Sequence, residues 1–154
     1  MSFREKTAWI AVLTTLVVWG YYFSQVWHGL SVRAFDGAGL WTLFLVCMGL
    51  TFVLLLGLNL WATRRRLADF GAPADELERQ VEATAVRLSK PVFEWAVMAI
   101  AASALLWGRD LAAIFPAGPV GGVLIVLANG LLLAAVASNV LGELIVIVRF
   151  RVLG

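Results

Sequence analysis

Ala62–Lys90, reading ATRRRLADFGAPADELERQVEATAVRLSK, is the one long polar run in the chain. The sequence on either side of it is apolar enough to live in lipid, and that contrast decides the fold. Arg64, Arg65 and Arg66 open the run, directly after Leu40–Trp61, a stretch without a charged residue. As a helix, that stretch spans roughly 33 Å, enough to cross a hydrocarbon core of about 30 Å. Beyond the arginines, Gly71 and Pro73 interrupt the backbone, so a new helix is expected from about Ala74 or Asp75. There Leu77, Val81, Ala85 and Leu88 recur at helical spacing on one face, with Glu78, Glu82 and Arg87 largely off it. Asp75, four residues before Arg79, adds a helix-supporting pair. The expectation is a short amphipathic helix leading into a further span.

Composition agrees with a membrane chain. Of 154 residues, 62% are hydrophobic and 14% charged, whereas soluble domains carry about 25% charged residues. The charges fall in short blocks between long apolar runs, so the net charge of +2 gives no reason to expect nucleic-acid binding. Asp69, Asp75, Glu76, Glu78 and Glu82 share the polar run with its arginines, which opposes a phosphate-backbone partner further. One cysteine, Cys47, and one histidine, His28, fall short of an ordinary zinc site and allow no intrachain disulfide. Gly118-Pro119-Val120-Gly121-Gly122 lacks the Lys-Ser/Thr that would make it a phosphate loop. No nucleophile constellation is visible either, and the expectation is no enzyme, no cofactor and no metal.

Four spans emerge, at about residues 8–27, 40–61, 91–107 and 122–148, with 62–90 as a cytoplasmic segment and the whole chain one transmembrane domain. The first run follows Arg4, Glu5 and Lys6 and has no small-residue cleavage site, so it reads as a retained span. Turns are expected over His28–Gly39 and Gly108–Pro119. Pro91 suits either a first helical position or a kink. The last run, Val120–Val148, exceeds an upright crossing, so tilt or a protruding end must absorb the excess.

Two independent signals orient the chain. With Ala62–Lys90 placed inside, all Lys and Arg except Arg33 and Arg109 lie on the cytoplasmic side, a strong positive-inside bias. Trp9, Trp61 and Trp95 then fall at the inner boundary, Trp27, Trp41 and Trp107 at the outer one, and Trp19 within a span. Both termini are therefore expected in the cytoplasm.

The candidate functional residues cluster on the fourth span. Gly130, Ala134, Ser138 and Gly142 recur every four residues as a small-residue stripe. Lipid gives helices no hydrophobic reason to associate, so small residues that allow close contact mark a packing face. That face serves packing within one chain or an interface between copies. Asn129, Asn139 and Glu143 fall within an arc of about 80°, nearly opposite the stripe. Two protein-preferring faces argue that this helix is central.

Glu94 and Glu143 are the two carboxylates at membrane depth, each near the cytoplasmic end of its span. Charges there have partners or a purpose: interfacial ion pairing, or a proton- or cation-handling pair if the inner helix ends bring them together. Arg64, Arg65 and Arg66 are expected to fix topology and to contact anionic lipid. Asp75, Glu76 and Arg79 are candidates for docking a partner, the alternative being a solvated helix resting its apolar side on bilayer or bundle.

The opening Phe3-Arg4-Glu5-Lys6-Thr7-Ala8-Trp9-Ile10 resembles the start of small four-span inner-membrane proteins of proteobacteria, a group without an assigned activity. Those proteins tend to carry an Asp-Glu-Arg cluster between spans two and three, matched here by Asp75, Glu76 and Arg79 with Leu77 and Glu78 interposed. The resemblance implies a bacterial plasma-membrane setting and supplies no mechanism. The sequence thus predicts an all-α, polytopic four-helix bundle that assembles with itself or with a membrane or cytosolic partner. The alternative is a small proton- or cation-coupled transporter or channel using Glu94 and Glu143.

Overall fold

A computed structural model describes residues 3–63, 76–115 and 118–153. Among them there are four helices and no strand: α1 (Phe3–Ser31), α2 (Gly37–Thr63), α3 (Glu76–Ile114) and α4 (Pro119–Leu153). All four are long and apolar enough to cross a membrane, the architecture of a multi-pass membrane protein. Arg64, Arg65, Arg66 and Asp75 lie outside the described residues.

The segment expected as a separate amphipathic helix is instead the beginning of α3, which continues through Pro91 without a break. At 39 residues α3 is roughly 58 Å long, far more than the hydrocarbon core requires. Glu76 and Glu78 in its first turn complement the partial positive charge of a helix N-terminus. Pro91 removes the N–H that would bond the Arg87 carbonyl. Two residues further on, the Ser89 carbonyl accepts a hydrogen bond from Ser138 Oγ of α4 at 3.1 Å, so a neighbouring helix supports the backbone at the proline turn. The expected turn at Gly108 is likewise helical, and α3 ends only at Ile114.

The α1–α2 connection is tight and chemically specified. Arg33 adopts a left-handed conformation (φ 54°). Its N–H bonds the Leu30 carbonyl at 3.1 Å, and the Ala34 N–H reaches back to Gly29 at 3.1 Å, a Schellman ending of α1. Asp36 then caps α2, its Oδ1 accepting from the Gly39 N–H at 3.0 Å. The Phe35 and Phe115 rings, one from each connection, lie 5.2 Å apart and close the hairpin end. Phe115 is buried against Gly122, where any Cβ would collide with the ring.

The principal helix contacts are α3 with α4, α4 with α1, and α1 with α2. The helices therefore follow one another as a row, α2–α1–α4–α3, rather than closing into a ring of four. Burial follows that order. Of each helix's most apolar stretch, 39% is buried in α1, 11% in α4, 6% in α2 and none in α3. Thus α4 does have two protein neighbours, but α1 is the most enclosed helix.

Two clusters hold the row. At the end carrying the chain termini, Ala8, Val12, Val81, Ala85, Val146 and Ile147 join α1, α3 and α4. Val81 and Ala85 come from the amphipathic face read from the sequence, while Leu77 and Leu88 of that face stay exposed. Nearer the hairpin end, Val18, Trp19, Tyr22 and Cys47 pack with Phe23 and Phe44, joined by Leu132 and Val136 of α4. Trp19, the tryptophan inside a span, is explained by this cluster. Its ring meets Tyr22 edge-on at 5.6 Å and Phe44 at 5.9 Å.

Candidate functional site

On α4, residues 135, 138, 139, 142, 143 and 146 stand at steps of three and four and form one helix face. On α3, residues 82, 85, 86, 89 and 93 do the same. Where these faces meet beside the start of α1, they enclose an open groove of about 500 Å³. Arg4 lies at its mouth with Glu82 and Glu143. Ser89, Ser138 and Asn139 follow, and Phe93 and Ala135 line the far part.

Local electrostatics are set by a single cation between two carboxylates. Arg4 of α1 forms an ion pair with Glu82 of α3. Both side chains are about two-fifths exposed (45% and 37%), so water screens the pair and its contribution to stability is small. Glu143 is half-buried and has no hydrogen-bond or ion-pair partner among the described residues. Beside the groove, Glu5 is buried and accepts a hydrogen bond from Arg151 Nε at 3.3 Å. The Arg151 guanidinium in turn lies 5.9 Å from the centre of the Trp9 ring. First and last helices are thereby tied at the same end of the molecule.

The small stripe divides its work. Ser138 bonds the Ser89 carbonyl, a Cβ on Gly130 would meet Ile100, and one on Gly142 would meet Ser89 Oγ at 3.5 Å. Those partners are all on α3 of the same chain. Both glycine contacts are of ordinary van der Waals length, so neither position demands glycine for backbone approach. Ala134 is buried.

The polar arc also divides. Asn129 belongs to the hairpin half, where its Oδ1 accepts a hydrogen bond from Tyr22 Oη at 2.7 Å and its Nδ2 donates to the Ile125 carbonyl at 2.8 Å. That pair borders a separate, mainly apolar crevice of about 650 Å³ walled by Trp41, Phe44, Leu124 and Leu132. Asn139 and Glu143 face the charged groove together with Ser138 and Gly142. Stripe and arc, opposite on average, therefore border the same space at this end of α4.

Glu94 does not join Glu143. It is exposed, and its carboxylate pairs with Lys90 one turn earlier at 3.7 Å. Five residues separate it from Ser89, about 140° around the helix, which turns it off the groove face. Glu94 is thus ion-paired within its own helix, and the alternative of a carboxylate pair at the inner helix ends is not formed among the described residues. Glu76 and Arg79 are exposed at the start of α3.

Arg4, Ser89 and Tyr22 were not singled out from sequence, and Glu82 was read there only as one acid of the polar run. The spacing Glu82–Ser89–Phe93, two turns and then one, was the available signal on α3. For Arg4 and Tyr22 no local signal exists, because their partners lie on other helices. Among the described residues no three His, Cys, Asp or Glu side chains come together as a metal site. No family model, curated protein or solved structure matches the chain.

Proposed function

We propose that the chain is a non-enzymatic component of the bacterial inner membrane that works by assembling with itself or with a protein partner. The resemblance at Phe3–Ile10 supports the setting, and the lysine and arginine asymmetry supports cytoplasmic termini. Arg64, Arg65 and Arg66 then face anionic headgroups, and the charged start of α3, with Glu76 and Arg79, projects toward the cytosol.

The observation that carries assembly is the open row. The outer helix α3 has no buried residue in its most apolar stretch and exposes Ala99, Ala101 and Ala102 there. The stripe on α4 is already occupied by α3. These alanines are small residues that remain available for a second helix, as are the exposed Gly49 and Gly57 of α2, and close backbone approach is what drives association in lipid. Single cysteines at Ala99 or Ala102, in a Cys47→Ser background, provide the test. Oxidative cross-linking in native membranes is expected to give one protein adduct of fixed mass, lost when Ala101 is enlarged to Leu. Absence of any protein adduct from these positions, and from exposed Phe52 and Val53 of α2, refutes the reading.

A transporter is the second reading, favoured by the position of Glu143 and Asn139 in an open groove. It requires proton or cation flux in liposomes that Glu143→Gln abolishes; Glu94 takes no part in it.

A further inference from the structure

We propose that the groove between α1, α3 and α4 binds a phospholipid whose headgroup carries both a phosphate and a primary ammonium.

Its polarity changes along the helix axes as that of an amphiphile does. Arg4, Glu82 and Glu143 stand at the end of the bundle that holds the termini, and Phe93 and Ala135 lie deeper. From Glu143 to Ala135 is eight residues, a rise of about 12 Å, the distance over which a headgroup region gives way to hydrocarbon. Serine hydroxyls and the Asn139 carboxamide occupy the intermediate level, where ester groups would sit.

The charges select the headgroup. Arg4 shares its guanidinium with Glu82, yet its side chain is 45% exposed, and five N–H donors leave capacity for a phosphate. Glu143 offers a carboxylate that no described side chain pairs. One cation against two carboxylates leaves the groove net negative, which opposes a purely anionic lipid. A primary ammonium neutralises Glu143 and donates hydrogen bonds to it; a quaternary one can only do the first.

Small side chains keep the space open. Ala85, Ala135, Ser138 and Gly142 line it, and a Cβ at Gly142 would meet nothing nearer than Ser89 Oγ at 3.5 Å. At about 500 Å³ the groove falls within the usual size range of ligand sites. The inference holds whichever side of the membrane the termini face, and it does not depend on a protein partner.

The full-length protein, stripped of lipid in mild detergent, is offered phosphatidylethanolamine, phosphatidylcholine and phosphatidylglycerol in turn, and retained lipid is counted by native mass spectrometry. Phosphatidylethanolamine is expected to be retained about five- to tenfold better than either other lipid, the range supplied by one charge-assisted hydrogen bond. Glu143→Gln should reduce that preference to near parity, while Glu94→Gln, outside the groove, should leave it intact. Equal retention of the three lipids by the unaltered protein overturns the assignment, whatever the fate of the variant. So does a preference that survives Glu143→Gln in a variant with an unchanged melting curve. Soluble phosphoethanolamine competing as well as the lipid at equal concentration overturns the lipid as occupant.

Discussion

Removing one hydroxyl, in Tyr22→Phe, tests the contact that joins the two inner helices of the row. Tyr22 is 4% exposed, and its hydroxyl donates to Asn129 Oδ1 across the α1–α4 boundary at 2.7 Å. Phenylalanine keeps the ring, and with it the edge contacts to Trp19 at 5.6 Å and Phe23 at 5.4 Å, so packing is held constant. What changes is one interhelical hydrogen bond and the satisfaction of one carboxamide oxygen. Interhelical hydrogen bonds in membranes average about 0.6 kcal/mol and reach about 1.7. This one is short and half-buried, and an orphaned acceptor adds to its loss, which places the expected destabilisation near 1 kcal/mol. That is about a fivefold change in the unfolding equilibrium. Asn129→Ala removes the same bond together with the local one to Ile125, which does not depend on Tyr22. The double variant therefore isolates the Tyr22–Asn129 term. Reversible unfolding in mixed micelles, followed by circular dichroism and tryptophan fluorescence, should give a coupling energy of about 0.5–1.5 kcal/mol. Strict additivity of the two changes would show that Asn129 is not bonded to α1, and would reopen it as a residue facing a ligand.

Gly122→Ala should destabilise the hairpin end by about 1–3 kcal/mol, since its methyl group runs into the buried Phe115 ring; a smaller side chain at Phe115 should recover part of the loss in the same melting assay. Arg33→Gly should raise stability by about 1 kcal/mol, because the left-handed conformation at φ 54° suits glycine and disfavours a residue with a Cβ. Glu94→Gln should change stability by less than about 0.5 kcal/mol, because its pair with Lys90 is exposed. Glu5→Gln should cost about 1–3 kcal/mol, because Glu5 is buried and holds Arg151. Equal melting temperatures for these two glutamate variants would contradict the placement of Glu5.

What the groove asks of sequence reading is illustrated by its two glutamates. Both stand near one end of a span, both are polar at membrane depth, and one-dimensional reasoning treats them alike. Glu94 lies on the same face as Lys90 and is neutralised within its own helix. Glu143 has no such neighbour, and the charges near it, Arg4 and Glu82, come from α1 and α3. Likewise the stripe Gly130/Ala134/Ser138/Gly142 was recognisable as a packing face, but its partner, α3 of the same chain, was not. The expected separation of the amphipathic segment from the third span failed because local sequence leaves the outcome at Pro91 open. Proline inside a helix can end it or be accommodated, and the Ser138–Ser89 contact that supports accommodation comes from another helix.

The sequence by itself determined the number of apolar crossings and the polar run that separates two hairpins. Those depend on local quantities: the transfer of each stretch into hydrocarbon, and the backbone hydrogen bonds available within a few residues. Only the tertiary structure decided the order α2–α1–α4–α3, the enclosure of α1, and the meeting of Arg4, Glu82 and Glu143 at one groove. An apolar helix face is about as stable against lipid as against another helix, so hydrophobicity carries no instruction about which faces meet. Shape and a few hydrogen bonds between distant residues make that choice, and they exist only once the helices are side by side.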